Sequence, residues 1–570
     1  MPINTDDYIQ MLKQNNEQQA EQLKLQAEMI EDLKDTIKNL NATIANLQET
    51  IESLRQQIYG TSSETTVSGR DSSKSAMQDG TDAETVVLET GKETTVKEYI
   101  RRPRKKSLRK DLYDSLPIRE VRCDAPEQDR SCPDCGASME HLGYKFVREE
   151  LRIIPARIER VRIMQETMVC PACREELDTT ITSSKVPAAL LRHSPASASM
   201  VACIMYQKSG LELPFYRQEQ DWLQKGAPVP RETQANWYNT CTLKYLYPIY
   251  ERLHQLLLER EVIHVDEVPC QVLKEPGKRA QSRSYMWIYL SGTDGLPPIV
   301  LYDYRPGRGS EHPTGFLAGF KGMVHCDGYS AYGKLSDVIL VCCLAHVRRK
   351  FFDAVPASRQ KAFRLLDINS EEEISQSDIT LDDSLIPAEK GVVYCNRIFY
   401  KERLYKNMDP ESRKQERLKT ESILWEEFWT WLGTLNPADG SKLERAVNYA
   451  QNHKETLMNY LLDGRCEVSN NAAERKAKAY VMGRKNFLFH GTVDGANASA
   501  IVLSLIETAK ANHLNVYQYL YTLLLYMPDY KEEPAGIEQL LPWSEFVNEH
   551  CTGPADVESN TIEHRIALPV

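Results

Sequence analysis

Apolar residues recur at alternating spacings of three and four along residues 20–58, as Ile30, Leu33, Ile37, Leu40, Ile44, Leu47, Ile51, Leu54 and Ile58. This is a heptad seam with Ile at a and Leu at d, which favours a parallel two-stranded coiled coil. Gly60 ends it, and residues 61–95, rich in Ser, Thr, Gly and acids, carry no lasting period and read as flexible chain. Residues 190–258 read as mostly helical with short turns. After 260 short apolar runs take over: Val262–Val265, Tyr285–Leu290, Ile299–Tyr304, Gly322–Cys326 and Val338–Leu344. Their order predicts an antiparallel meander followed by parallel strands with helical crossovers. Helical patterning returns over 397–462, where Trp425, Phe428, Trp429 and Trp431 supply apolar mass.

At 570 residues the chain exceeds one ordinary core, and three or four units are expected. No apolar run approaches the ~20 residues of a membrane span, the mean hydropathy is −0.49, and the polar start MPINTDDYIQ is not a secretory signal. Fourteen cysteines over this length fit a reducing compartment better than a disulfide framework. The formal charge of −11 hides a local patch, residues 101–110, with seven cations in ten positions, among them Arg101, Arg102, Arg104, Lys105 and Lys106. Such a patch can neutralise several phosphates, or it is simply a solvated linker.

Two matching CxxC knuckles, Cys132 with Cys135 and Cys170 with Cys173, offer four thiolates to one tetrahedral zinc. A redox pair or isolated thiols is the competing reading. The partly alternating stretch between them can supply a strand pair that brings the knuckles together. Within the helical stretch, Arg231, Gln234 and Asn236 could lie along DNA as in a helix-turn-helix. A connector packed around Trp222 and Trp237 explains that pattern as well.

Three acids carry the candidate chemistry. Asp266 and Asp327 each close an apolar strand run, and Glu474 follows Ser469-Asn470-Asn471-Ala472-Ala473, where Asn470 or Asn471 can cap a helix. Two strand-end acids and a third on a helix can clamp two divalent ions around a phosphodiester. Arg475, Lys478, Arg484 and Lys485 follow Glu474, and His346, Arg348, Arg349 and Lys350 stand in another basic run. All are candidate phosphate-positioning residues, although His346 could be a structural histidine.

These motifs in order resemble the DDE transposases of bacterial insertion sequences, closest to the TnpC-type proteins of the insertion-sequence-sixty-six family. The resemblance rests on Ile58–Glu64 after the coiled coil, CPDCG and CPAC, and LPFYRQE at Leu213–Glu219. It continues through HVDE at His264–Glu267, HCDGYSAY at His325–Tyr332, CLAHVRRKFF at Cys343–Phe352, and DGR at Asp463–Arg465. SNNAAER at Ser469–Arg475, GRKNFLF at Gly483–Phe489 and LLPW at Leu540–Trp543 complete it. It implies a multidomain α+β/α/β chain: a coiled coil over 1–60, a basic linker over 61–114, a zinc unit over 115–185, and a helical DNA-binding region over 186–258. An RNase H-like core over 259–510 would follow, with a helical insertion at about 353–462 and a C-terminal element over 511–570. The implied activity is Mg²⁺- or Mn²⁺-dependent cutting and joining of element ends by Asp266, Asp327 and Glu474. The implied setting is a homo-oligomer on double-stranded DNA, with companion proteins of the same element, in the bacterial cytoplasm at the nucleoid. Where the family continues with an Ala-Ile-Arg-Pro-like stretch, this chain reads Lys476-Ala477-Lys478-Ala479.

Overall fold

The computed structural model describes residues 189–360, 378–530 and 533–554, with short pieces at 158, 160–163, 167–169 and 181–183. The chain divides into two units, Met1–Val147 and Arg148–Val570, and every described residue belongs to the second. Several sequence expectations therefore fall outside the described residues. They are the coiled coil and the basic run with Arg101, Arg102, Arg104, Lys105 and Lys106. The four proposed zinc ligands Cys132, Cys135, Cys170 and Cys173 also lie outside the described residues, so their expected convergence on one ion is carried by the CxxC spacing alone. Two short strands, β1 (Thr167–Val169) and β2 (Ile181–Ser183), pair antiparallel on either side of Cys170 and Cys173 in the sequence.

Five strands form one mixed sheet: β3 (Val262–Gln271), β4 (Arg283–Ser291), β5 (Val300–Arg305), β6 (Met323–Cys326) and β7 (Ile339–Cys342), in the order β5-β4-β3-β6-β7. β3, β4 and β5 form the expected antiparallel meander, while β6 and β7 run parallel to β3. The fifth strand is shorter than the apolar run suggests, because Leu344 already opens a helix.

Alternation of side chains sorts the sheet into two faces. Ile263, Val265, Trp287, Tyr289 and Leu301 face a large core shared with α1 (Ala198–Met205), α2 (Phe215–Gln224), α3 (Arg231–Cys241) and α4 (Tyr247–Leu258), and with helices from the end of the chain. Trp222 and Trp237 are buried in this core, as the connector reading expects. Gln234 is buried too, its amide donating to the Val229 carbonyl at 2.8 Å. It therefore cannot lie along DNA, whereas Arg231 is exposed beside Glu232.

After β5 come α5 (Glu311–Phe316) and, beyond β7, α6 (Leu344–Ala354) and α7 (Ala357–Gln360). The insertion supplies α8 (Pro387–Tyr405), α9 (Pro410–Gly433), α10 (Lys442–Asn452) and α11 (Lys454–Met458). Their apolar faces close a second core with α6 around Phe351, Phe399, Trp425, Phe428 and Tyr460. Three helices carry the chain onward: α12 (Asn471–Phe487), α13 (Val493–Ala511) and α14 (Val516–Tyr530). α12 and α13 cover the other sheet face, where Met286, Ile288 and Tyr302 meet Ala473, Ala477, Tyr480 and Ala500. Small residues on α12 let it approach the sheet closely.

The edge strand β5 is capped by α13. Thr508 Oγ1 accepts the Val300 N–H at 3.0 Å, and Ser504 Oγ accepts the Tyr302 N–H at 2.7 Å. These hydroxyls satisfy donors that would otherwise recruit another strand. α15 (Pro534–Gln539) and α16 (Glu545–Cys551) pack against the α14 end. No helix among the described residues is long and apolar enough to cross a membrane.

Candidate active site

β3 and β6 pair in parallel with His264 opposite His325. Each histidine precedes an acid by two residues, so the register carries Asp266 level with Asp327 on the same sheet face. The acids stand where the β3–β6 ladder ends, but β3 itself runs on to Gln271 against β4. Asp266 is therefore mid-strand rather than at a strand end, since β4 continues to satisfy its backbone. Asp327 directly follows the last residue of β6.

The third acid arrives on the helix packed against that face. Glu474 lies in the first turn of α12. Its neighbours Ala473 and Ala477 are buried against the sheet. The Asn470 side chain makes no cap bond at this terminus, contrary to the sequence expectation. It reaches across to β3 instead: Asn470 Nδ2 donates to the Val265 carbonyl at 2.8 Å, and Oδ1 accepts from His264 Nδ1 at 3.0 Å. The Asn470 N–H points at Cys343 Sγ, 3.1 Å away at the start of α6. One buried side chain thus ties the Glu474 helix to the Asp266 strand.

The two histidines support this from below. Their rings stack at 4.3 Å, and burial lowers both pKa values, so both are neutral. His325 Nε2 accepts the Glu467 N–H at 3.2 Å, fixing the segment that leads into α12.

Asp266 Oδ1 accepts the Glu267 N–H at 2.8 Å, and Asp327 Oδ1 accepts the Tyr329 N–H at 2.9 Å. Among the described residues neither acid has a cationic partner. Burial pushes the Asp266 pKa up to about 7, and the charges of Glu267, Asp327 and Glu474 add to that rise. Asp266 therefore lies within electrostatic reach of Asp327 and of Glu474. Glu267 points to the opposite face, where Arg308 Nε donates to it at 2.6 Å and the Tyr332 hydroxyl also donates.

Glu474 sits under α6. His346 Nε2 is 3.7 Å from Glu474 Oε1, and Arg349 Nη2 is 3.3 Å from Oε2. Among the described residues Glu474 Oε1 and His346 Nδ1 are buried without a hydrogen-bond partner. Among the described residues, Cys343, His346 and Glu474 form the group whose metal-ligating atoms fall within 4.8 Å of one another. Cys343 is a poor member, because burial pushes its thiol up to about 12 and it would stay protonated.

The cations divide by exposure. Arg349, Arg475, Lys478 and Lys485 are exposed, and Lys350 is half-buried with its ammonium 4.5 Å from the Tyr449 ring centre. Arg484 donates to the Pro269 carbonyl of β3. Arg348 departs from expectation: it is 3% exposed and Nε donates to Asn396 at 2.7 Å, holding α6 to the insertion. It cannot meet a phosphate. From the sequence Asn470 had only a capping role, and His264, His325 and Glu267 had none, although the repeated His-x-Asp spacing of HVDE and HCDG was a usable signal for the register.

Two expectations follow. Asn470→Ala should lower activity and divalent-metal affinity by about 10–100-fold, with little change in DNA affinity; equal metal affinity by calorimetry would refute the brace. In metal-free protein Asp266→Asn should stabilise. The native acid keeps its proton up to about pH 7, while the unfolded acid loses it near ~4. The wild type therefore loses stability as pH rises between those values, and the cost is complete above them. The asparagine variant should gain on the order of 4 kcal/mol at alkaline pH and nothing in strong acid. Thermal melts across pH without metal would show it, and a constant difference would count against it.

Comparison with known proteins places this site in a family. Residues 193–498 match the description "Transposase IS66 family". Residues 129–174 match "zinc-finger binding domain of transposase IS66", 504–543 "IS66 C-terminal element", and 46–121 "Transposase C of IS166 homeodomain". The zinc-finger match spans all four of Cys132, Cys135, Cys170 and Cys173. Uncharacterized protein y4jD of Sinorhizobium fredii (strain NBRC 101917 / NGR234) is 27% identical over 432 residues, 73% of this chain and 78% of that protein. Uncharacterized protein y4qI of the same strain is 29% identical over 383 residues, 64% of this chain and 65% of the relative. With its N-terminal, zinc-finger, transposase-core and C-terminal matches in one order, and over half its length covered by the core match, the chain belongs to the IS66 transposase family.

Proposed function

We propose that the chain cuts and joins the ends of a DNA element by divalent-metal-dependent phosphoryl transfer at Asp266, Asp327 and Glu474. What supports this is that the β3–β6 register sets Asp266 level with Asp327 on one sheet face and that the helix bearing Glu474 packs on that face, with a Glu474 oxygen left without a hydrogen-bond partner among the described residues. Hard oxygen donors, two of them without a cationic partner among the described residues, suit Mg²⁺ or Mn²⁺. When bound, such ions ionise the attacking hydroxyl and stabilise charge on the transferred phosphate. The meander-then-parallel sheet, with its first acid on the first strand, supports an RNase H-like reading of the core.

Asp266 and Asp327 fix the two donors on the sheet, and Asn470 sets the helix-borne third. In cleavage, the oxygen of water attacks the end phosphate and the bond to the 3′-oxygen breaks, freeing a 3′-hydroxyl. In joining, that hydroxyl attacks a target phosphate and displaces the target's own 3′-oxygen. One phosphodiester replaces another, so joining needs no ATP. Arg349, Arg475, Lys478 and Lys485 are exposed around Glu474 and along its helix, where flanking phosphates would run.

The N-terminal regions extend the reading. Self-association through 20–58 would pair two element ends, companion proteins of the same element would act with the complex, and the protein would work at the nucleoid in the cytoplasm. Cys132, Cys135, Cys170 and Cys173 would hold one structural zinc. Metal analysis of the full chain should give about one zinc, lost when Cys132 and Cys170 are replaced; zinc retained in that variant would refute the four-thiolate site. The assay for the catalytic reading is metal-dependent cutting and joining of paired end duplexes. Cutting without joining would favour a structure-specific nuclease.

A further inference from the structure

The Glu474 helix ends in a strained turn. Leu488 closes α12 with φ 68° and ψ −54°, and the Phe489 N–H donates to the Phe487 carbonyl at 2.8 Å. The result is a three-residue turn with positive φ at its centre, a conformation rare for a residue with a bulky side chain. Glycine would adopt it without penalty.

The surroundings force it. The His490 N–H donates to the Gln271 carbonyl at 2.9 Å, and the Leu273 N–H donates to the His490 carbonyl at 3.0 Å. The His490 ring is buried, with Nε2 2.9 Å from the Tyr480 hydroxyl. The turn is thus locked to the end of β3. Its effect is to hold Leu488 64% and Phe489 43% exposed, while Phe487 packs 5.0 Å from the His490 ring. Strain kept up to display two apolar side chains, rather than to bury them, points to a ligand.

The surrounding charge selects the ligand class. Lys485 and Asn486 precede the turn and are exposed. The β3–β4 connection that it clamps carries Lys274, Lys278 and Arg279, and Arg283 opens β4, all exposed. Its acid Glu275 is bound to the Tyr304 hydroxyl and to Ser284. A cationic frame around an apolar tip fits nucleic acid, which offers phosphates to the frame and base faces to the ring. Along α12 the tip stands about 20 Å from Glu474, or about six base pairs of duplex.

We infer that Leu488 and Phe489 form a wedge that enters the element-end duplex about six base pairs from the phosphate at the acids and unstacks that base step. The inference rests on the transposase reading above.

The test uses the full chain with chelator present, so that no strand is cut. Duplexes spanning the ends of the DNA element that encodes the chain carry 2-aminopurine at successive positions. Fluorescence should rise several-fold at one position near the sixth base pair. Phe489→Ala should abolish that rise while lowering affinity less than about threefold, since phosphate contacts dominate binding. Leu488→Gly should raise the melting temperature and also weaken the signal, whereas a merely structural turn would gain stability with the signal untouched. Flat fluorescence at every position of a bound complex, or an unchanged signal in both variants, would overturn the wedge. Failure to bind these duplexes at all would overturn it together with the DNA reading. The readout needs no catalysis, so an inactive acidic triad leaves it intact, and a protein that cuts and joins without the signal loses only the wedge.

Discussion

Asp266→Asn, Asp327→Asn and Glu474→Gln should each lower strand cleavage and joining by about 10³-fold or more, because each removes part of a charge clamp worth several kcal/mol in the transition state. The register of His264 on His325 sets the first two acids side by side, and Asn470 binds the third to the same strand. In the proposed mechanism the three act as one unit, so double substitutions should cost little more than single ones. The same changes should leave duplex binding in chelator nearly intact, since the cations proposed to meet phosphates lie elsewhere on α6 and α12. Losses that multiply in double variants would mean the acids act separately. A variant retaining wild-type turnover would remove that acid from the site.

Arg417→Met is expected to give the largest loss of stability, about 3–5 kcal/mol for the insertion and the segment returning from it. Arg417 is 1% exposed at the centre of α9's inner face. Nε and Nη2 bind Glu402 at 2.7 Å each, Nη1 donates to the Tyr460 and Asp463 carbonyls at 3.2 and 3.1 Å, and Nη2 donates to the Cys466 carbonyl at 2.8 Å. All five N–H donors of the guanidinium are used. A methionine of similar length fills the space but leaves Glu402 buried without its partner and three carbonyls unpaired. Next to this knot, Arg413 Nη1 donates to the Gly464 carbonyl at 3.0 Å. Gly464 lies against the Pro410 carbonyl so closely that a β-carbon would collide with it.

This knot explains how the long insertion can fold away and still deliver Glu474. From Tyr460 to Asn470 the returning chain is fixed at successive points, first to α9, then to His325 through Glu467, to Leu344 through Val468, and to β3 through Asn470. Thermal melting and hydrogen exchange over 387–474 would measure the effect. Arg417→Met should increase exchange across that stretch and spare β3–β5. Arg417→Lys should fall between, since a single ammonium cannot reach five acceptors. Wild-type protection in the methionine variant would show that the knot does not hold the return path.

The strands were legible because they obey local rules. Apolar runs of five and six residues marked β4, β5 and β6 closely, and Asp266 and Asp327 each directly follow an apolar run, whereas Glu474 sits on a helix. What escaped was long-range. Asn470 looked like a helix cap because its neighbours in sequence fit one, but its side chain is spent on Val265, 205 residues away. Arg348 and Arg417 sit in stretches so charged that every cation reads as solvated. Only the packed structure shows that one face of each helix turns inward and that its arginine satisfies buried carbonyls or a side-chain amide. Gln234 misled for the same reason: a polar residue on a helix gives no local sign of being buried. His264 and His325 were visible as a repeated spacing, yet their stacking depends on a parallel register that strand patterns alone do not fix.

The decisive measurement is turnover of paired element-end duplexes by the full chain with Mg²⁺ or Mn²⁺, scoring free 3′-hydroxyl ends and joined products together, beside the Asp266→Asn variant. The proposed site predicts both products with metal, neither with chelator, and a loss of about 10³-fold in the variant. Products that form equally well in chelator, or that survive Asp266→Asn unchanged, would contradict it.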